Sequence, residues 1–260
     1  MFISTNFTYD NSTSDEMGVW LVRVETGLVE QNFGIPRTTI TEKIKGRKRP
    51  YLYGFTEEVI KFSITLAKSN TNHTWTLAEK RSICTWLFKN SYKDFVSDDD
   101  IEIVYKCVAV GSPKFYTSTN EDGYCVVDFE CDAPHPWSAS NVQTFDLSSI
   151  SSATTIQIQN LSNIDDYYYP ELEFQLKSTA TAFKLVNNND GGRIFEFTGL
   201  NALETVYINN ETKQIISDSG NYRYSALTDK RFFRLPYGTS NCVISYPCII
   251  TVRSQFPIAK

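Results

Sequence analysis

The residues most able to do chemistry lie in VDFECDAPHPWS, residues 127–138, where Cys131, Asp132 and His135 sit beside Pro134, Pro136 and Trp137. Cysteine, carboxylate and imidazole are metal ligands, and imidazole is the usual carrier of a proton near neutrality. The spacing does not support a metal site. Cys125 and Cys131 are six residues apart, as are Cys242 and Cys248, whereas zinc ligands recur two to four residues apart. On a strand each pair would share a face yet stand too far apart to hold one ion, so the cysteines read as small residues of strands.

Proton transfer meets a similar obstacle. The chain has only two histidines, His73 and His135. His135 lies between two prolines, a rigid extended setting poorly suited to a base that must be oriented by a third group. His73 precedes a helical stretch with no recognisable nucleophile elbow nearby, and the sequence has no G-x-S-x-G, Walker loop or H-E-x-x-H. The acidic runs SDDDIE, 97–102, and NIDDYYYPE, 163–171, lack the glycine turn and ligand spacing of a calcium loop and read as solvated turns. No catalytic, cofactor-binding or metal site is expected, and no enzyme.

The strongest local charge lies in KIKGRKRPYLYGF, residues 43–55. There Lys43, Lys45, Arg47, Lys48 and Arg49 run into Tyr51, Tyr53 and Phe55. Cations beside stacking aromatics can bind single-stranded nucleic acid. The whole chain, however, carries a net charge of −5 and a pI near 5.2, which argues against binding that rests on neutralising many phosphates. The readings kept are a long exposed hairpin that docks on an acidic partner surface, with Arg47, Lys48, Arg49, Tyr51 and Tyr53 as the candidate contact, or a plain solvated loop.

These residues must be positioned by a mainly β chain. In EVIKFSITLA, 58–67, Ile60, Phe62, Ile64 and Leu66 alternate with polar residues, and GVWLVRVETG, 18–27, is apolar on both faces. One helix is expected over about 75–90, with Thr74 as its cap and Leu77, Ile83, Cys84, Leu87 and Phe88 on its broad face. IEIVYKCVAVGS and GYCVVDFECDA read as an antiparallel hairpin with a long loop. The nearly uncharged segment 138–163 suits a connector running into the first strand of a new unit. Beyond it ELEFQLK, TAFKLVN, RIFEFTG, ETVYINN, KQIISDS, RFFRLPYG and CIITVRS predict an antiparallel sandwich.

With 260 residues, 41% hydrophobic and 21% charged, the chain can bury a sizeable core in one or two domains. The expected division is 1–138, β with one helix, and 139–260, an antiparallel β-sandwich. Pro134, Pro136 and Trp137 would form a stiff hinge between them. No apolar run approaches the roughly 18 residues of a membrane span. The opening MFISTNFTYD lacks the features of a secretory leader, so synthesis in a cytoplasm and reduced thiols are expected.

In chain order, GVWLVRVETG, KGRKRPYLYG, EVIKFSITL, a helix ending in TWLF, IEIVYKCVAV and GYCVVDFECDAPHPWS resemble the distal tail protein (Dit) family of long, non-contractile tailed bacteriophages. The second half is similar as well, through ELEFQLK, through FEFTGLNALETVYINNETKQIISDSG with Asn209 and Asn210 in its turn, and through RFFRLPYGTSNCVI. The resemblance covers nearly the whole chain. It implies a ring-forming N-terminal domain, a galectin-like second domain and a structural function in the tail tip, without chemistry. The implied partners are five further copies in a hexameric ring, the tail tube protein, and a hub, fibre or receptor-binding protein, around a central passage for DNA. The implied location is the virion. The alternative is a carbohydrate-binding adhesion module that reads host cell-wall glycans, because a β-sandwich hosts many functions.

Overall fold

The computed structural model describes residues 4–23, 37–69, 74–119 and 122–259. The chain forms two compact units, Met1–Ala139 with Ile258–Lys260, and Ser140–Pro257. Among the described residues it is mainly β, with one helix and antiparallel sheets.

In the first unit the elements are β1 (Phe7–Tyr9), β2 (Ser12–Thr13), β3 (Val19–Leu21), β4 (Arg37–Glu42), β5 (Tyr51–Glu57), β6 (Lys61–Lys68), α1 (Leu77–Leu87), β7 (Lys93–Ser97), β8 (Ile103–Thr117), β9 (Gly123–Cys131) and β10 (Trp137–Ser138). One sheet runs β2-β1-β7-β8-β9-β6-β3, with β10 pairing β8 off this path. Alternation along β6 buries Ile64 and Leu66, as the sequence predicts. Their core is rich in rings: Phe7 stacks on Phe95 at 4.8 Å, and Phe62 stacks on Phe129 at 5.5 Å.

The helix is shorter than expected. Thr76, rather than Thr74, caps it: the Thr76 hydroxyl accepts from the Glu79 N–H, and Glu79 Oε2 accepts from the Thr76 N–H at 2.8 Å. This reciprocal box fixes the start and frees Trp75 to enter the core, where its Nε1 donates to the Gly123 carbonyl at 2.9 Å. Ile83 and Leu87 are buried, whereas Leu77, Cys84 and Phe88 are exposed. Trp86 takes their place and donates to the Tyr9 carbonyl at 2.9 Å. The strand expected over 18–27 is observed as Val19–Leu21, and residues 24–27 lie outside the described residues.

Strands β8 and β9 pair antiparallel as expected, but β8 extends through the supposed loop to Thr117, past a bulge between Val110 and Lys114. Close approach decides the far end of this pair: a Cβ at Gly123 would stand 1.8 Å from the Tyr116 carbonyl oxygen. No other residue type fits there without moving the backbone.

The second unit contains β11 (Asn141–Leu147), β12 (Thr154–Asn160), β13 (Glu171–Leu176), β14 (Phe183–Asn187), β15 (Arg193–Phe197), β16 (Thr205–Asn209), β17 (Gln214–Ser217), β18 (Gly238–Ile244) and β19 (Cys248–Ser254). Two antiparallel sheets, β11-β19-β13-β16-β17 and β12-β18-β14-β15, share one apolar core. Phe174 of the first and Phe183 of the second stack at 3.9 Å, nearly parallel. The expected connector 138–163 therefore holds two strands, since Ile156, Ile158 and Asn160 alternate inward from β12. RFFRLPYG, conversely, is not a strand of its own: Gly238 opens β18, and before it only Leu235 bridges, to Tyr168, while Asn210 Oδ1 accepts from the Phe233 N–H and Arg193 donates to the Phe232 carbonyl. Side chains replace the ladder there, so Phe232 and Phe233 are buried on irregular backbone.

The second unit also buries a charge. Glu204 is 3% exposed and is held by Arg223 Nε at 2.7 Å and Nη2 at 2.6 Å, by Ser217 Oγ at 2.5 Å and by the Asn201 N–H at 2.7 Å. Burial opposes its ionisation most strongly, yet these donors outweigh burial and bring the carboxyl from 4.5 to about 2. A carboxyl lowered on folding contributes stability that is present above its unfolded value and lost as pH falls through the folded one.

Two outcomes are expected in chemical denaturation of the full chain. Phe183→Ala should cost about 3–5 kcal/mol by leaving a cavity between the sheets. Glu204→Gln should cost about 3 kcal/mol near neutrality, and the gap to the unsubstituted chain should narrow as pH is lowered from 4.5 toward 2. A gap that stays constant across that window contradicts the role assigned to Glu204.

Candidate functional site

Most groups that could do chemistry are occupied by the fold. Cys107, Cys125, Cys131, Cys242 and Cys248 are buried free thiols, and Cys84 is exposed. Burial pushes Cys125 up to about 11 and Cys131 and Cys242 up to about 12, which removes the thiolate that a nucleophile or ligand needs. Among the described residues no group of three or more His, Cys, Asp or Glu side chains is placed to hold a metal. His73 lies outside the described residues.

The acidic turns are closed on themselves. Asp99 accepts from the Ser97 hydroxyl, and Asp166 Oδ1 accepts from the Tyr167 N–H at 2.7 Å. Tyr167 lies under the Arg234 guanidinium at 3.6 Å, and Arg234 in turn donates twice to Asp190, at 2.8 and 3.0 Å.

The stretch 127–138 is the end of β9 followed by a tightly held turn. Asp132 N–H donates to the Lys106 carbonyl, and Asp132 Oδ1 accepts from Trp137 Nε1 at 3.1 Å. Trp137 pairs with Val104 as part of β10, and the Lys106 ammonium lies 5.5 Å above its ring. His135 packs edge-on against Trp137, with Nδ1 at 3.2 Å from the Pro136 carbonyl oxygen. Pro136 is buried and accepts from the Ile258 N–H, and Pro134 is half-buried. These contacts lie within the first unit and leave His135 no hydrogen-bonded acid or nucleophile among them.

One feature of the first unit is not occupied. Strands β4 and β5 form a two-stranded sheet of their own, paired from Arg37↔Glu57 to Glu42↔Tyr51, with a bulge after Ile40 where Gly54 takes φ 152°. Every residue of β4 is exposed, as is all of β5 except Gly54. Ile40, Ile44, Tyr51, Leu52, Tyr53 and Phe55 face solvent, Tyr53 at 65%, and none belongs to either hydrophobic core. The tip carries exposed Lys43, Lys45, Arg47, Lys48 and Arg49.

Of the five residues singled out in sequence, the fold brings two together: Arg47 lies 3.7 Å over the Tyr51 ring. Tyr53 turns elsewhere and its hydroxyl donates to Glu42, while Lys48 and Arg49 stand exposed in the tip. Arg37, over Phe55 at 4.8 Å, and the apolar Ile40, Ile44 and Leu52 belong to the same arm and were missed. The β-branched run TTIT preceding the cations was their available sign.

A two-stranded hairpin is at best marginally stable in water, and a cluster of exposed apolar side chains marks an interaction surface. The arm is therefore the candidate interaction surface, apolar along its strands and cationic at its tip.

Comparison with known proteins gives the setting. The family model described as the phage tail protein N-terminal domain matches residues 2–133, and that described as the phage tail C-terminal domain matches residues 137–253. The SPbeta prophage-derived protein YomH of Bacillus subtilis (strain 168) is 23% identical over 256 residues, covering 97% of each chain. Among solved structures, the SPP1 Dit (gp 19.1) protein, described as a paradigm of the hub adsorption apparatus in phages infecting Gram-positive hosts, superposes with a TM-score of 0.70 at 12% identity, over 96% of this chain and 98% of that one. A chain of the phage P2 baseplate in its activated conformation with Ca superposes with a TM-score of 0.55 at 7% identity, over 97% and 98%. At these identities the structural likeness is one of fold.

Proposed function

Because this chain belongs to the phage tail protein family, whose N-terminal and C-terminal domains it matches in turn, we propose that it is the tail-tip component that closes a hexameric ring. The ring joins the tail tube to the hub, fibre or receptor-binding proteins and leaves a central passage for DNA. The protein is made in the host cytoplasm, is carried in the virion and acts without catalysis. Residues 1–138 form the ring and 139–260 the sandwich, with Pro134, Pro136 and Trp137 stiffening the passage from one to the other.

The observation that carries this reading is the exposed arm β4–β5. A ring needs two different faces on each subunit, one to reach and one to receive. An arm that buries nothing at home and presents apolar side chains under a cationic tip supplies the reaching face. Arg47, Lys48, Arg49, Tyr51 and Tyr53 are the proposed contact, with the acidic surface of a neighbouring copy as receiver.

A second reading, a carbohydrate-binding adhesion module, is favoured by Tyr222, which is 77% exposed and stacks on Tyr224 at 4.9 Å, a platform of the kind on which sugar rings lie. Saturable retention of the full chain on a cell-wall glycan array, lost in Tyr222→Ala, would select it.

Joint replacement of Arg47, Lys48 and Arg49 by alanine should leave the melting temperature unchanged and raise the dissociation constant between copies at least tenfold, about 1.4 kcal/mol. Sedimentation velocity across a concentration series reads this directly. Identical association before and after substitution removes the arm from the interface.

A further inference from the structure

Strands β8 and β9 place two thiols face to face. Cys107 and Cys131 are direct partners in the register, are 0% and 1% exposed, and point into the same core. The hydrogen bonds around them define the type of pair. The Cys131 N–H donates away from β8, to the Ile60 carbonyl at 2.8 Å, and the next N–H, of Asp132, donates to the Lys106 carbonyl at 2.9 Å. Ladder bonds that flank a pair and do not join it are the mark of a non-hydrogen-bonded position in an antiparallel sheet. There the Cα atoms approach to about 4.5 Å and the side chains lean closest, inside the span of roughly 4.4–6.8 Å that a disulfide bridges.

We propose that Cys107 and Cys131 are a disulfide-forming pair, reduced as folded here and cross-linked strand to strand by a two-electron oxidant. No other two cysteines face each other in the register: Cys125 pairs with Leu66 and Phe115, Cys242 with Ile156 and Asn187, and Cys248 with Leu147 and Leu176. The bond would tie β8 to β9 at the base of the segment Asp132–Trp137, where the chain leaves the first unit's sheet. It suits a protein that folds among reductants and later works outside them.

The chemistry balances with an azo compound such as diamide as oxidant. One thiol sulfur adds to a nitrogen of the N=N bond, and the second thiol sulfur displaces that nitrogen. One S–S bond forms, two S–H bonds break, and both hydrogens end on the reduced hydrazine. Burial withholds the thiolate and makes the step slow in the closed fold, so access comes with transient opening of the pair.

The experiment uses the full chain carrying Cys84→Ser, which removes the exposed thiol, incubated with excess diamide just below its melting transition. Intact mass should fall by about 2 Da, the two thiol hydrogens, and digestion without reductant should yield one linked peptide joining Cys107 to Cys131. Cys107→Ala should abolish the loss, Cys242→Ala should retain it, and reductant should reverse it. If Cys107→Ala does not fold, the linked peptide from the parent chain decides. A mass that does not change, or a link between other cysteines, overturns the proposal.

Discussion

A two-stranded ribbon cannot bury its own faces. In β4–β5 that constraint leaves Ile40, Ile44, Tyr51, Leu52, Tyr53 and Phe55 in water beneath five cationic side chains. Apolar area of this extent represents free energy released only when another surface covers it. The local cation–aromatic contacts, Arg47 over Tyr51 and Arg37 over Phe55, order the arm without covering it. Binding then loses little conformational freedom, the usual benefit of preorganisation.

The remainder of the chain supplies the rigidity such an arm requires and uses up its reactive groups in doing so. Aromatic rings from β1, β6, β7, β9 and α1 fill the first core, and Trp75 and Trp86 each anchor there through an indole hydrogen bond. In the second unit Glu204 and Arg223, and Asp190 with Arg234, satisfy each other inside the fold. Charges so paired hold structure in register, and breaking either pair strands its partner. The thiols are likewise buried, apart from Cys84. In the arm, what faces outward is apolar side chains under a cationic tip, which suits contact with a partner surface.

Much of this was legible in the sequence wherever one face of an element is wet. Period-two alternation marked β6 and β13 because Lys61, Ser63 and Thr65, and Glu171, Glu173 and Gln175, point away from the buried Ile64, Leu66, Leu172, Phe174 and Leu176. The helix limits were shifted because a capping box at Thr76 and Glu79 outweighs the helix-forming residues before it, and because Trp75 gains more from the core than from a further turn. RFFRLPYG misled because burial alone was read as strand. Its backbone is held by Asn210 and Arg193 side chains from distant elements, which no local pattern reveals. Strands β11 and β12 were hidden by their threonine, glutamine and asparagine content and by the serine-rich stretch between them. The cations and tyrosines of the arm were visible as a run, whereas its isolation from both cores is a property of the fold alone.

The central claim is that the arm closes identical chains into a ring, and electron micrographs of the purified full chain, paired with its light-scattering mass, test it most directly. The account predicts closed rings and a mass six times the 29.7 kDa of one chain. Single particles of one-chain mass at every concentration would contradict it.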